Sequence, residues 1–340
     1  MTQALVLGRR RRGRAIGPAV AATAKRLEAA GWSVESRVVY RKRDLRRETK
    51  HAVAAGVDAV VAVGGDGAVL QVVQKLAETK VALGIVPMGT GNLLATNLGI
   101  PKDLDAAIEV LLGQRQRVID VGHVKAGKKS RRGPAGKAGR RRGDTAGGKP
   151  GRGKASGKPD DKAGGKPDGK DRVFAVACGV GFDAEVMKAT PKSRKDRLGK
   201  LAYFASVLGQ RRKVRNVAHE ITIDGEEQTG PAAQVFVANF SGMGLPLEPR
   251  LEVKPDDGVL DVIVVRAAGP VEGLLAGWDA IRQRRHGHTP SGRVFRTHAR
   301  EVRIKTRQPR LVEIDGSVIG TTPVEVSIRP AALAVLVPAD

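Results

Sequence analysis

The sequence predicts an α/β domain built on a parallel sheet, followed by a mostly β domain of antiparallel strands arranged as a sandwich. Three observations carry this. In the first third, short apolar runs alternate with segments of helical spacing, the rhythm of strand–helix–strand units whose strands lie parallel. In the second half, the apolar runs are short, β-branched and separated by Asp-Gly turns, as in antiparallel hairpins. Between them, Lys125–Asp171 holds almost no large apolar side chain and cannot offset its ordering entropy by burial, so it reads as a disordered basic insertion. The chain thus divides into residues 1–124, 125–171, 172–328 and a closing strand, 329–340, with a return to the first domain open to it.

Element by element, Ala4–Leu7 is an apolar run fit for a first strand, and Ile16–Ala30 has helical spacing stopped by Gly31. Val34–Tyr40 alternates and is rich in Val, so it reads as a strand; Leu45–Ala55 reads as a polar helix. Val57–Val63 is a buried-strand run ending in Gly64, Gly65, Asp66 and Gly67, after which Ala68–Ala77 returns to helical spacing. Val81–Val86 is another apolar strand ending at Pro87, and Leu104–Leu112 another helix. Further on, the strand-like runs are Val173–Cys178, Glu220–Ile223, Ala233–Asn239, Leu251–Val253, Leu260–Val265, Val302–Thr306, Leu311–Ile314, Val324–Ile328 and Ala334–Val337. Asp224–Gly225, Asp257–Gly258 and Asp315–Gly316 supply turns. Lys195–Gln210 and Val271–Arg285 read as helical interruptions.

Composition narrows the function. Aromatic residues are 3% of the chain, so the cores must be built from Val, Leu, Ile and Ala. The net charge of +25 favours polyanions: nucleic acid, anionic membrane or phosphate-rich ligands. Much of it lies between Lys125 and Asp171, where sixteen Lys and Arg face five Asp and Glu, so it sits on a tether rather than a folded face. With few aromatic stacking platforms, no specific nucleic-acid reader is expected. Cys178 is the only cysteine, which excludes an internal disulfide and a cysteine-rich zinc site. The apolar stretch before the N-terminal basic run is too short for a signal peptide, and no segment approaches the ~20 apolar residues of a bilayer span. A cytoplasmic protein with at most peripheral membrane contact is expected. His51, His123, His219, His286, His288 and His298 have no zinc-ligand spacing.

Two loops carry the chemistry. In Val60–Val73 a buried strand meets the Gly64–Gly65–Asp66–Gly67 turn and then a helix, an arrangement in which glycines let main-chain N–H groups approach a phosphate. Asp66 would aim a carboxylate into that site, unfavourable unless it meets a cation or accepts a proton. An ordinary βα turn, where Asp-Gly is common, is the alternative. One strand later, Gly89, Thr90, Gly91 and Asn92 again follow a strand and open a helix, with hydroxyl and amide groups suited to phosphate or ribose; a plain capped helix is the alternative there. Two such corners after two strands of one sheet would line a single crevice at its carboxyl edge.

In order and spacing, the Gly-Gly-Asp-Gly turn and the Pro87–Asn92 loop resemble the diacylglycerol-kinase catalytic family, which includes bacterial lipid kinases and sphingosine kinases. Ala177–Met187, Leu251–Val265 and Val312–Gly320 resemble its later motifs, so the likeness covers nearly the whole chain outside the basic segment. It implies a Rossmann-like nucleotide-binding domain and phosphoryl transfer from ATP with Mg2+ to a lipid hydroxyl, with diacylglycerol the leading acceptor; Gly-Gly-Asp-Gly alone is shared with NAD kinases. By motif, Gly64, Gly65, Gly67, Gly89, Thr90, Gly91 and Asn92, with Asp66, would form the nucleotide site. Asp315 would be the leading general base, with Asp66 beside it. Asp257, with the carbonyls of Lys254 and Val259, would match a magnesium site, although Asp-Gly in a turn needs no metal.

Three positions depart from the family pattern: Ala68 replaces a Thr, Gln71 a Glu, and Ser317 the acid after Asp315–Gly316. The Asn-Pro turn usual after the first strand is replaced by Gly8–Arg14, whose arginines either hold phosphates or form a solvated run. A weakly active relative is therefore a second outcome. For partners, the resemblance implies a lipid substrate at a membrane surface. Anionic lipid or another polyanion would meet the 125–171 segment. Leu198, Leu201, Phe204, Ala205 and Leu208 share a helical face for either the membrane or the β domain. Homodimerisation is open.

Overall fold

The computed structural model describes residues 1–127, 171–181, 216–241, 253–266, 287–288 and 291–339. The basic segment at 128–170 and the helical readings at 195–210 and 271–285 lie outside the described residues.

In the first domain, β1 (Gln3–Arg9) leads to α1 (Ile16–Ala29), β2 (Ser33–Val39) to α2 (Lys42–Ala54), and β3 (Ala59–Gly64) to α3 (Asp66–Leu76). β4 (Ala82–Pro87) is followed by the short α4 (Leu93–Asn97) and by α5 (Leu104–Leu112). The strands lie parallel in the order β2–β1–β3–β4. Every residue of β3 and β4 is buried, because helices cover both faces of the sheet. Strand alternation sorts the packing. Leu5, Leu7, Val60 and Ala62 face α2 and α3, meeting Leu45, Val69 and Val72. Ala4, Val6, Val61 and Val63 face α1 and α5, meeting Val20, Leu27 and Leu111. A Cβ on Gly8 would lie 2.6 Å from Val20, so α1 needs a glycine at the end of β1 to pack this closely.

Adjacent strands β1 and β3 thus send the chain to opposite faces of the sheet. Where neighbouring exits diverge, a crevice opens at the carboxyl edge, the position at which α/β sheets take ligands.

The remaining strands are β5 (Gln116–Gly127), β6 (Arg172–Phe174), β7 (Ala177–Gly181), β8 (Val217–Ile223), β9 (Glu226–Ala232), β10 (Gln234–Ala238), β11 (Leu260–Val265), β12 (Gly287–His288), β13 (Val294–Ala299), β14 (Glu301–Thr306), β15 (Leu311–Ile314) and β16 (Ser317–Leu336). They pair antiparallel with one another, and their core is aliphatic, with Val180, Val235, Val262, Ile304 and Val326 around Phe174. β16 runs from this domain into the first: it pairs with β14 and β15, then lies parallel to β4 with Val335 opposite Leu83. β5 accompanies it antiparallel over most of its length.

Several sequence expectations need correcting. The single strand read at Val173–Cys178 is two, β6 and β7, broken by a bend at Ala175 and Val176. Val324–Ile328 and Ala334–Leu336 belong to one long strand, with irregular pairing between Arg329 and Leu333, and Val337 lies just past its end. Val253 lies outside any strand, and the rest of the run read there falls outside the described residues. β5 and β13 were not expected, and β5 carries strand pairing to Gly127, inside the segment read as basic insertion.

Candidate active site

Both glycine corners sit at the carboxyl edge, and they interlock. A Cβ on Gly65 would lie 2.8 Å from the Gly89 Cα, and one on Gly89 would lie 2.5 Å from the Gly65 Cα. Main chain therefore crosses main chain with no room for a side chain on either. Asn92 closes the second corner on itself: its Oδ1 accepts from Gly89 N at 2.8 Å and its Nδ2 donates to Gly89 O at 3.1 Å. Asn92 is buried with φ +52°, a left-handed conformation that Asn tolerates better than most residues. One N–H and one oxygen lone pair of its amide are thus used inside the loop.

Asp66 ties the corners together. Its Oδ2 accepts from Asn92 N at 2.9 Å and its Oδ1 from Leu93 N, at the start of α4. Gly91 must be glycine because a Cβ there would lie 2.7 Å from Asp66 Oδ2. The carboxylate expected to point into a phosphate site is therefore engaged by main-chain donors, which removes the electrostatic objection to its presence. Thr90 is exposed, and Arg14 Nη2 donates to its hydroxyl at 3.0 Å.

Asp315 arrives from the other domain, at the turn between β15 and β16, with φ +42° and a buried side chain. The bend that splits β6 from β7 wraps its carboxylate: Ala175 N donates to Oδ2 at 2.9 Å, and Val176 N and Ala177 N donate to Oδ1 at 3.0 Å each. Burial pushes its pKa up to about 6; the three N–H donors oppose that, and the like charge of Asp66 adds to it. Asp66 and Asp315 line one small cleft with Val69, Val73, Leu94 and Val176, so the seam between the domains brings the two acids to the same walls.

A carboxylate whose pKa is raised on folding stabilises the fold below its unfolded pKa and loses that contribution as pH rises through its folded pKa. For Asp315 the window runs from about pH 4 to pH 6, and the shift from 3.8 to about 6 corresponds to ~3 kcal/mol. The unfolding free energy of Asp315→Asn minus that of the wild type should therefore rise by ~3 kcal/mol between pH 4 and pH 7 in denaturant titrations. A pH-independent difference would contradict the burial argument.

Motifs did not single out Asn239 or Asp120. Asn239 is fully buried at the end of the β10 run; its Nδ2 donates to Asp120 O at 2.8 Å and to Ala175 O at 3.0 Å. It thereby braces the bend that holds Asp315. The only signal for it was an amide just after the apolar stretch Val235–Ala238. Asp120, on β5, accepts from Gly258 N at 2.8 Å and Ala331 N at 2.7 Å, which docks the 254–259 turn against the first domain. Asp257 and Lys254, in that turn, are exposed, and Asp257 Oδ1 accepts from Val259 N at 3.2 Å. Among the described residues, no three His, Cys, Asp or Glu side chains gather as a metal cage. At the departing positions, Ala68 and Gln71 are buried on α3, and the buried Glu313 accepts from Gly316 N at 2.9 Å beside Ser317.

Two family models match the chain: the diacylglycerol kinase catalytic domain over residues 4–124, and the YegS C-terminal NAD kinase beta sandwich-like domain over residues 176–337. The chain is 28% identical over 302 residues to a diacylglycerol kinase of Mycobacterium tuberculosis, covering 87% of this chain and 82% of that protein. It is 24% identical over 298 residues to an uncharacterized protein of Synechocystis sp., covering 87% of this chain but 58% of the relative. A crystal structure of a diacylglycerol kinase from Bacillus anthracis str. Sterne shares the fold with a TM-score of 0.66 at 19% identity, covering 99% of this chain and 97% of that one.

Proposed function

This chain belongs to the diacylglycerol kinase catalytic-domain family of ATP-using phosphotransferases with an alcohol acceptor, and on that premise we propose that it phosphorylates the hydroxyl of a membrane lipid, with diacylglycerol the leading acceptor and phosphatidic acid the product. The observation that carries this reading is the cleft lined by both Asp66 and Asp315. In the proposed reaction the lipid hydroxyl meets Asp315, which accepts its proton as the hydroxyl oxygen bonds to the γ-phosphorus of ATP and the bond from that phosphorus to the β–γ bridging oxygen breaks, releasing ADP. A pKa of about 6 leaves the carboxylate mostly ionised at neutral pH yet basic enough to take a proton. The three main-chain donors fix its orientation, and the apolar walls at Val69, Val73 and Val176 suit the lipid side of the acceptor.

Gly64, Gly65, Gly67, Gly89, Thr90, Gly91 and Asn92 would form the nucleotide-binding edge, with Asp66 holding its two corners in register. Mg2+ would neutralise charge on the phosphates during transfer. The exposed Asp257 with the carbonyls of Lys254 and Val259 would hold a magnesium ion that keeps several waters, because Mg2+ dehydrates reluctantly and takes few protein ligands.

Among the described residues, no helix is long and apolar enough to cross a membrane. Peripheral contact through the basic residues of 125–171 would suffice to reach a lipid substrate, at ~1 kcal/mol for each cation held at an anionic surface. Binding to phosphatidylserine vesicles should then weaken steeply with salt.

A second reading is favoured by the match of the β domain to an NAD kinase-like model: NAD as acceptor. Offering the protein γ-labelled ATP with diacylglycerol, monoacylglycerol, sphingosine and NAD in parallel separates the two. We expect label in the diacylglycerol product; label in NADP alone would overturn the lipid reading.

A further inference from the structure

We propose that the outer edge of β2 is a self-pairing surface. Two copies of this chain join there, β2 against β2, antiparallel about a two-fold axis at Ser36, so that one sheet runs through both first domains.

The edge is open and regular. Among the described residues β2 pairs only with β1, in an unbroken parallel register from Ser33 to Val39, and it ends the order β4–β3–β1–β2. Ser33 N donates to Thr2 O at 2.9 Å and Arg10 N donates to Val39 O at 2.8 Å, so residues 33 and 39 turn their main-chain groups towards β1. Alternation gives 35 and 37 the same direction and sends the N–H and C=O groups of Val34, Ser36 and Val38 outward. Apolar surface collects here too: Val38 is 37% exposed, and Tyr40, just past the strand, is 68% exposed. Such an edge is a template for another strand unless it is guarded. β9, which pairs only with β8 among the described residues, carries Pro231 and the adjacent Glu226 and Glu227. β2 carries no proline, no lysine and no bulge.

The order of its side chains names the occupant. From 33 to 39 the strand reads Ser-Val-Glu-Ser-Arg-Val-Val. Turned end for end about Ser36, it sets Val34 opposite Val38 of the second copy and each Glu35 opposite an Arg37. The outward residues then fall in hydrogen-bonded pairs, Ser36 with its counterpart and Val34 with Val38, so every outward N–H meets a carbonyl. Glu35 and Arg37 fall in the intervening pairs, where side chains approach closest. Opposite charges in facing positions are favourable, and like charges are not. A register centred on Glu35 or on Arg37 would set like charges face to face. Arg37 is fixed in place by its bonds to Glu35 and to the buried Glu48 of α2, with N–H donors to spare for a second carboxylate. Val34 already packs on the core beneath α1, so the facing valines would carry that core across the axis.

The test is sedimentation of the full chain over a concentration series, together with oxidative cross-linking of cysteine variants. Native Cys178 is buried and stays out of that reaction. The wild type should sediment at twice the chain mass. Ser36→Pro removes the central outward N–H without touching the bonds to β1, and Glu35→Lys sets a cation against Arg37. Each should raise the dimer dissociation constant at least tenfold with the melting temperature unchanged. Ser36→Cys should give a disulfide-linked dimer, because a hydrogen-bonded antiparallel pair holds its Cα atoms about 5.5 Å apart, within disulfide reach. Ser33→Cys, roughly 20 Å from its counterpart in this register, should not. A wild type that stays monomeric throughout, or a dimer that both Ser36→Pro and Glu35→Lys leave intact, would overturn the proposal. Equal cross-linking at positions 33 and 36 would overturn the register, and this comparison decides even if Ser36→Pro fails to fold. No nucleotide or lipid enters these measurements, so their outcome is independent of the kinase reading.

Discussion

Asp315→Asn is expected to lower kcat for lipid phosphorylation by about 10²–10⁴-fold while leaving ATP affinity within a few-fold of wild type. The amide preserves size but cannot take the proton, and three main-chain donors that now converge on a carboxylate would face an amide instead. The proposed nucleotide edge, Gly64–Gly67 and Gly89–Asn92 on the other domain, is untouched, so kcat and ATP binding should separate. Steady-state kinetics in mixed micelles, with nucleotide binding measured alongside, checks this. Loss of ATP binding in proportion to kcat would mean that Asp315 holds the site together rather than acting in it.

Gly89→Ala should be the most damaging single-methyl change at the two glycine corners. The added carbon would lie 2.5 Å from the Gly65 Cα and would strike Asn92 Oδ1. One neighbour is main chain and the other closes the loop, so neither can yield cheaply. We expect a stability loss of ~1–3 kcal/mol, typical of overpacking, with nucleotide affinity reduced more than tenfold as the corners separate. Gly67→Ala is the matched comparison: the nearest atom to its new Cβ is Lys42 Nζ at 3.9 Å, so the fold should tolerate it. Thermal melts and ATP titrations of the two variants distinguish a steric lock from a general intolerance of alanine at the edge.

The parts of this molecule that could be read from the chain are those whose signal is local. β3 and β4 announce themselves as apolar runs ending in glycine corners, and α1 and α5 by periodicity and stops. β5 did not, because its exposed start (Gln116, Arg117 and Val118) mixes polar residues with an outward-facing Val, and its strand identity comes from pairing with β16, two hundred residues on. The break between β6 and β7 was invisible for a similar reason: Ala175 and Val176 are ordinary strand residues, bent here by giving their N–H groups to Asp315, 139 or 140 positions away.

The site divides in the same way. Its glycines and acids stand out as motifs, but what they do for one another does not. Asp66 looked like a group aimed at phosphate, and in the fold its oxygens accept from the start of α4. Asn92 looked like a ligand-binding amide, and its polar atoms close on Gly89. Asn239 has no motif at all, since a buried amide that braces a distant bend leaves only an Asn just after an apolar stretch.

Transfer of label from γ-labelled ATP to diacylglycerol, followed from pH 5 to pH 8 with the wild type and Asp315→Asn side by side, addresses the central claim most directly. The wild type should form labelled phosphatidic acid with a rate that climbs as pH rises through about 6, where the buried carboxyl loses its proton, and the variant should form almost none. Equal labelling by both proteins, flat across that range, would contradict a proton-accepting role for Asp315.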